Sequence, residues 1–208
     1  MLASFARLHA AYWDSTRFQA ELGWIEPPRQ HPVGVQLVER ALEQHRDTMP
    51  PVFSVLAEHY LSNADAVHRL WGEGTHTVVH GDVHDGNQFL DGDTPGFLDW
   101  AIVSRAPAAR DVGYYLAGVL KPADCVQFES LLTFYRQSLQ AAGLQPPDPA
   151  DLLEQCRWHA AYVWVGAVAT LAMGEAWQPS AYVLRTLENL HANLESLGTV
   201  PALRAALG

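Results

Sequence analysis

The stretch that most constrains this chain runs from Val78 to Trp100, VVHGDVHDGNQFLDGDTPGFLDW. Val78-Val79 is short, β-branched and apolar, and reads as the end of a buried strand. His80-Gly81-Asp82 leaves that strand, and Val83-His84-Asp85-Gly86-Asn87 reads as a polar, Gly-containing loop. Gln88-Phe89-Leu90 resumes an extended run. The dense turn signal Asp91-Gly92-Asp93-Thr94-Pro95-Gly96 follows, and Gly96-Phe97-Leu98 leads into Asp99-Trp100. A hairpin with polar groups at its mouths fits this order. It is expected to bring Asp82, Asn87 and Asp99 together at one end of two short strands. Two carboxylates and an amide oxygen suit a hard divalent cation such as Mg²⁺. Asp91 and Asp93 read as solvated turn carboxylates. His80 reads as a brace for the loop, and His84 as a brace for Asp82 or for a backbone carbonyl.

Phosphoryl transfer needs such a set. One carboxylate accepts the proton of the attacking hydroxyl, while an Asn and a second Asp hold metal against the nucleotide phosphates. His80, Asp82 and Asn87 occupy the H, D and N positions of the kinase pattern H-R-D-x-x-x-x-N, with Gly81 in place of Arg. The fuller pattern H-G-D-x-H-x-x-N, followed by Asp99-Trp100, resembles the aminoglycoside phosphotransferase and choline kinase-like family (ecdysteroid kinase-like members included). The resemblance implies Asp82 as catalytic base, with His84, the family's second His, orienting the loop. It implies Asn87 and Asp99 as the residues that hold Mg²⁺ and the nucleotide, ATP or GTP, with a small-molecule hydroxyl as acceptor. Pro107 to Asp111 resembles the family's P-x-x-x-D step, which implies that Asp111 supports the catalytic-loop backbone. A helix-start carboxylate favoured by the helix dipole is a compatible reading of the same residue.

The bounds of the chain agree. Its 208 residues suit one domain or one large lobe, and 49% hydrophobic content with seven Trp is ample for a core. A net charge of −10 argues against a nucleic-acid partner. Cys125 and Cys156 form no close pair or metal spacing, so a reducing cytoplasm is the simplest context. The N-terminus carries no signal-peptide pattern. The longest apolar run, Ala160 to Met173, is too short for a membrane span and reads as a buried helix.

Residues 2–13 place Leu2, Phe5, Leu8 and Tyr12 at helical spacing, with His9 taken as packing. The segment also resembles the helix that follows the interlobe hinge in the phosphotransferase family. Residues 14–34 are rich in Gly and Pro and read as a loop. Helices are expected from Val35 to Arg46, from Pro50-Pro51 to Trp71, and from about Pro107 to Leu116. Further helices are expected over Ala123 to Ala142, Leu152 to Gly174 and Tyr182 to Leu197. Residues 101–107 read as a short connection. Family members bind the acceptor with helices of this lobe, which implies Trp158, Tyr162 and His159 as candidate walls.

No G-x-G-x-x-G occurs, and the sole Lys, Lys121, lies after the catalytic loop. The resemblance therefore covers only the C-terminal lobe. The expected fold is mainly α with a small β-hairpin, the C-terminal lobe of a protein kinase-like α+β fold, with the N-terminal β-lobe absent. Residues 1–208 form one lobe, with the catalytic loop and metal hairpin at 78–100 and a helical substrate subdomain at 108–208. An N-lobe-bearing partner chain, or self-association through an exposed apolar face, is the corollary. Two other functions stay open. Gly81-Asp82-Val83-His84-Asp85 matches the G-D-x-x-D step of calcineurin-like phosphoesterases, but no upstream D-x-H or downstream G-N-H accompanies it. The other is a kinase lobe that binds without catalysing.

Overall fold

The computed structural model describes residues 1–29 and 32–208. The fold is mainly helical with a small β-hairpin, as the sequence leads one to expect, and it holds a second two-stranded antiparallel sheet. Helix α1 (Leu2–Tyr12) opens the chain, followed by α2 (Pro32–His45) and α3 (Pro51–Leu70). Strand β1 (His76–Val79) precedes the polar loop, and β2 (Gln88–Asp91) with β3 (Thr94–Phe97) forms the hairpin. Strand β4 (Ser104–Pro107) leads into α4 (Ala109–Tyr114) and a π turn at Tyr115–Val119. Helices α5 (Pro122–Cys125), α6 (Phe128–Ala141), α7 (Pro149–Met173), α8 (Ser180–Leu197) and α9 (Thr199–Leu207) complete the order.

Three elements differ from the reading of the sequence. Residues 104–107 are a strand, not a connection. β4 pairs antiparallel with β1, Val79 opposite Ser104 and His76 opposite Pro107. Ser-Arg-Ala-Pro carries no alternation or β-branching to announce a strand, so the pairing comes from tertiary context. The helix expected over 123–142 is two, α5 and α6, separated at Val126-Gln127. Helix α9 follows Gly198, whose left-handed φ of +71° ends α8 and turns the chain.

Helix α7 is the central rod. From Trp158 to Met173 it carries no Asp, Glu, Lys or Arg, and Leu152, Cys156, Ala160, Trp164 and Val168 are buried on it. It packs against α2, α4, α6, α8 and α9. The closest approach is to α4 at Gly113, where a Cβ would stand 2.8 Å from the Cys156 carbonyl oxygen. Only glycine fits there without separating the two helices. The buried amide of Asn193 on α8 donates to the carbonyls of Ala117 and Leu120, both at 2.8 Å. It thereby satisfies oxygens that the π turn leaves unpaired. Helix α3 bends at Asn63, whose side-chain amide donates to the His59 carbonyl at 2.9 Å. Among the described residues no helix is long and apolar enough to cross a membrane.

Helix α1 carries the hairpin. Phe5 is fully buried and stacks on Phe97 of β3 at 5.2 Å between centroids. Ser4 Oγ donates to the Pro95 carbonyl at 2.8 Å. Along the hairpin and the turn beyond it, Phe89, Leu90, Leu98, Trp100 and Ile102 are exposed.

Candidate functional site

The polar loop leaves β1 through Gly81, whose φ is +85°. A side chain there would be strained, and its Cβ would crowd the Ile102 carbonyl oxygen at 3.2 Å. This accounts for Gly where the related kinase pattern has Arg.

Asp111 fixes the loop from beneath. Its carboxylate, fully buried on α4, accepts the backbone N–H of His80 on Oδ2 and that of Gly81 on Oδ1, each at 2.8 Å. His9 Nε2 approaches the same Oδ2 at 3.3 Å, and His9 Nδ1 lies 2.7 Å from the Tyr135 hydroxyl. Burial holds the Tyr135 phenol well above its ordinary pKa, so it stays protonated and donates to His9. Three donors thus converge on one buried carboxylate, which is the condition for keeping it there. His9 is more than the packing residue its helical position suggests.

His80 is a brace, as expected. It is buried, its Nδ1 accepts the Asp82 backbone N–H at 3.2 Å, and its Nε2 lies 2.7 Å from the Leu98 carbonyl. Those partners place the ring proton on Nε2. His80 therefore ties the loop to the residue before Asp99.

Asp82 is half-buried, with its carboxylate reaching the surface. Oδ1 accepts the Tyr114 hydroxyl at 3.0 Å. Oδ2 lies 3.4 Å from Asn87 Nδ2, and the Asp82 carbonyl accepts from the same amide at 3.0 Å. Burial, with Asp82 as the next cause, raises the Tyr114 phenol far above its ordinary value, so it is a fixed donor. His84 turns its Nδ1 to the Gly86 backbone N–H at 3.0 Å and so caps the short turn Asp85–Asn87. Its Nε2 stands 3.7 Å from Asp82 Oδ2, beyond hydrogen-bond reach but within range of attraction once protonated.

The hairpin register sets Gln88 opposite Phe97, and the Leu98 N–H donates to the Asn87 carbonyl at 2.8 Å. Asp99 lies one residue beyond that bond. Asp82 and Asn87 touch; the Asp99 side chain bonds to neither, and one of its oxygens accepts the Ala101 N–H at 3.2 Å. Asp99 has φ of +53°, a left-handed conformation that Asp tolerates better than most residues.

The donor set suits Mg²⁺. Asn87 spends its amide hydrogens on Asp82, which leaves its oxygen free, and the exposed Asp99 carboxylate supplies a second oxygen donor. Mg²⁺ commonly takes one or two protein oxygens and completes its shell with water and phosphate. Among the described residues no three His, Cys, Asp or Glu side chains form a group that could hold a metal ion.

The three candidate acceptor walls, Trp158, His159 and Tyr162, are placed differently from one another. Tyr162 lines a cavity of about 400 Å³, and its hydroxyl donates to the Gly81 carbonyl at 3.0 Å. His159 is fully buried against α4, and burial pushes its pKa well below the ordinary value. Trp158 accepts the Trp71 indole N–H on its carbonyl and does not line the cavity. Tyr114 was not foreseen as a partner of Asp82. The two lie 32 positions apart with no spacing signal, and only the fold joins them.

A family model of the phosphotransferase enzyme family matches residues 2–153. The match runs from α1 through the loop, the hairpin and α4 into the first turns of α7, and the chain belongs to this family. Neither a search of curated proteins nor one of solved structures gives a match.

Proposed function

We propose that this chain is the catalytic lobe of an ATP-dependent phosphotransferase acting on a hydroxyl of a small molecule. The observation that supports this most is the Asp82 carboxylate. It is held at Oδ1 by a phenol that does not ionise, with Oδ2 turned toward His84 and Asn87, on a loop anchored by a buried carboxylate. Asp82 orients the acceptor hydroxyl and takes its proton on Oδ2. His84, capped onto Gly86, keeps a cationic or hydrogen-bonding group on the flank of that oxygen. Asn87 and Asp99 hold Mg²⁺ with the nucleotide, ATP or GTP, through their oxygens. When bound, the ion neutralises charge that develops on the phosphates. Asp111, His9 and Tyr135 keep the loop from moving during transfer, since positioning supplies much of the catalysis in this chemistry.

The family membership supports the phosphoryl-transfer class. The exposed apolar residues of the hairpin side support a covering lobe that clamps the nucleotide, on this polypeptide or on a partner chain. The test is transfer of labelled γ-phosphate from Mg²⁺-ATP to a panel of hydroxylated small molecules, assayed in the protein's complete natural form. Label on an acceptor is the expected result. Label released only to water, or no label transferred to any acceptor, contradicts the proposal.

A further inference from the structure

Tyr162 lines the cavity of about 400 Å³, to which the segment after α1, helix α3, strand β4, helix α4 and helix α7 all contribute. Its electrostatics run against those of the chain. The net charge is −10, yet four of the twelve arginines, Arg29, Arg69, Arg105 and Arg110, line this one cavity. No Asp or Glu is among its described lining residues. Among the described residues Arg29 is the only one of the four in an ion pair, with Glu26.

Arg110 is the decisive residue. It is 7% exposed and forms no ion pair or hydrogen bond among the described residues, and its Nε is buried without a partner. Its guanidinium carbon lies over the Tyr162 ring, 3.5 Å from the centroid. Stacking engages the face of the guanidinium and leaves its in-plane N–H donors unspent. A buried cation without an anion is costly, so a ligand that supplies one is bound with matching gain. Arg105, on β4, also lines the cavity and has a buried Nε without a partner among the described residues.

His68 adds a neutral donor. Its Nε2 lies 2.9 Å from the Tyr60 hydroxyl, while its Nδ1 is buried without a partner. Burial lifts the Tyr60 phenol to about 12, so it stays protonated and can donate to Nε2. The ring proton then sits on Nδ1. Burial, with Arg110 as a further cause, lowers the His68 pKa, so the positive charge in the cavity is that of the arginines. Trp71 and Tyr162 provide apolar ring surface beside them.

We propose that this cavity is a binding site for a small organic anion, a molecule with an apolar body and a carboxylate or phosphate group that is clamped by Arg110 and Arg105. The proposal does not rest on the transfer reaction. Asp82, His84, Asn87 and Asp99 are not among the residues that line the cavity.

The experiment is calorimetric titration of the full chain with phenyl phosphate, benzoate and, as a neutral match, benzyl alcohol, without Mg²⁺ or nucleotide. Saturable binding of one or both anions but not of the alcohol is expected, and the two anions distinguish a phosphate from a carboxylate site. Arg110→Gln should weaken binding roughly tenfold or more, with Arg110→Lys intermediate. Arg69→Gln, on the exposed rim, is a second variant that leaves folding intact and should also weaken binding. Asp99→Ala and the distant Arg40→Gln should leave it unchanged. The proposal is overturned if no anion binds saturably, if the alcohol binds equally well, or if both Arg110→Gln and Arg69→Gln bind as the wild type does. It is also overturned if Asp99→Ala abolishes binding, which would put the anion at the transfer site.

Discussion

Tyr114, at the end of α4, donates a hydrogen bond across 3.0 Å to the Asp82 carboxylate at the mouth of the polar loop. Partly buried and held protonated, Tyr114 fixes one oxygen of Asp82 and leaves the other for the proposed proton transfer. Tyr114→Phe removes only the hydroxyl and should leave folding nearly unchanged. A hydrogen bond to a charged group is worth enough that the transfer rate should fall roughly tenfold. An unchanged kcat in steady-state assays would show that Asp82 needs no such positioning.

Asp111 should matter for stability as much as for the loop. Asp111→Asn keeps the volume but turns an amide N–H₂ toward a donor it formerly accepted. A loss of about 1–3 kcal/mol is expected on urea unfolding. Hydrogen exchange at the His80 and Gly81 amides should accelerate with it, because those N–H groups bond to Asp111. Unchanged protection at both amides would mean that other contacts hold the loop.

Asp99 is the exposed carboxylate placed at the base of the hairpin, whereas Asp91 and Asp93 sit at its tip. Asp99→Ala should weaken Mg²⁺-nucleotide binding well beyond the effect of Asp91→Ala or Asp93→Ala. Equal effects of all three in a Mg²⁺ titration would identify Asp99 as a turn residue only.

Acid should unfold the protein through its buried histidines. His191 accepts the Trp164 indole N–H at 3.1 Å, and burial lowers its pKa from 6.5 to about 4. The unfolded chain therefore binds a proton below about 6.5 that the folded chain refuses until about 4. Stability falls as pH drops through that window and levels off below it, with a loss on the order of 3 kcal/mol from this residue. His159, shifted in the same direction, adds to it. His191→Gln keeps an acceptor for Trp164, and its urea midpoint should change less between pH 7 and pH 5 than that of the wild type. An identical pH dependence in the two proteins would remove His191 from the account.

The loop and hairpin were legible in the sequence because Gly81, Gly86, Asn87 and the Asp91–Gly96 run are punctuation with local causes. A left-handed φ at Gly81 and a tight turn at Gly92 follow from residue type. The apolar run in α7 was legible for the same reason. What the sequence did not disclose depends on meetings between distant segments. Strand β4 has no strand-like pattern and exists through its pairing with β1. Tyr114 reaches Asp82, and Tyr162 reaches Gly81, only because α4 and α7 pack closely at Gly113. The arginine cavity is assembled from segments far apart in the chain, each of them ordinary in isolation.

The most direct test of the central claim is the rate of phosphate transfer from Mg²⁺-ATP by Asp82→Asn, measured beside the wild type on an accepted hydroxyl substrate. The substitution keeps size and removes the base, so the rate should fall by roughly 10²–10⁴-fold with the unfolding midpoint nearly unchanged. Near-wild-type turnover by Asp82→Asn would contradict the account.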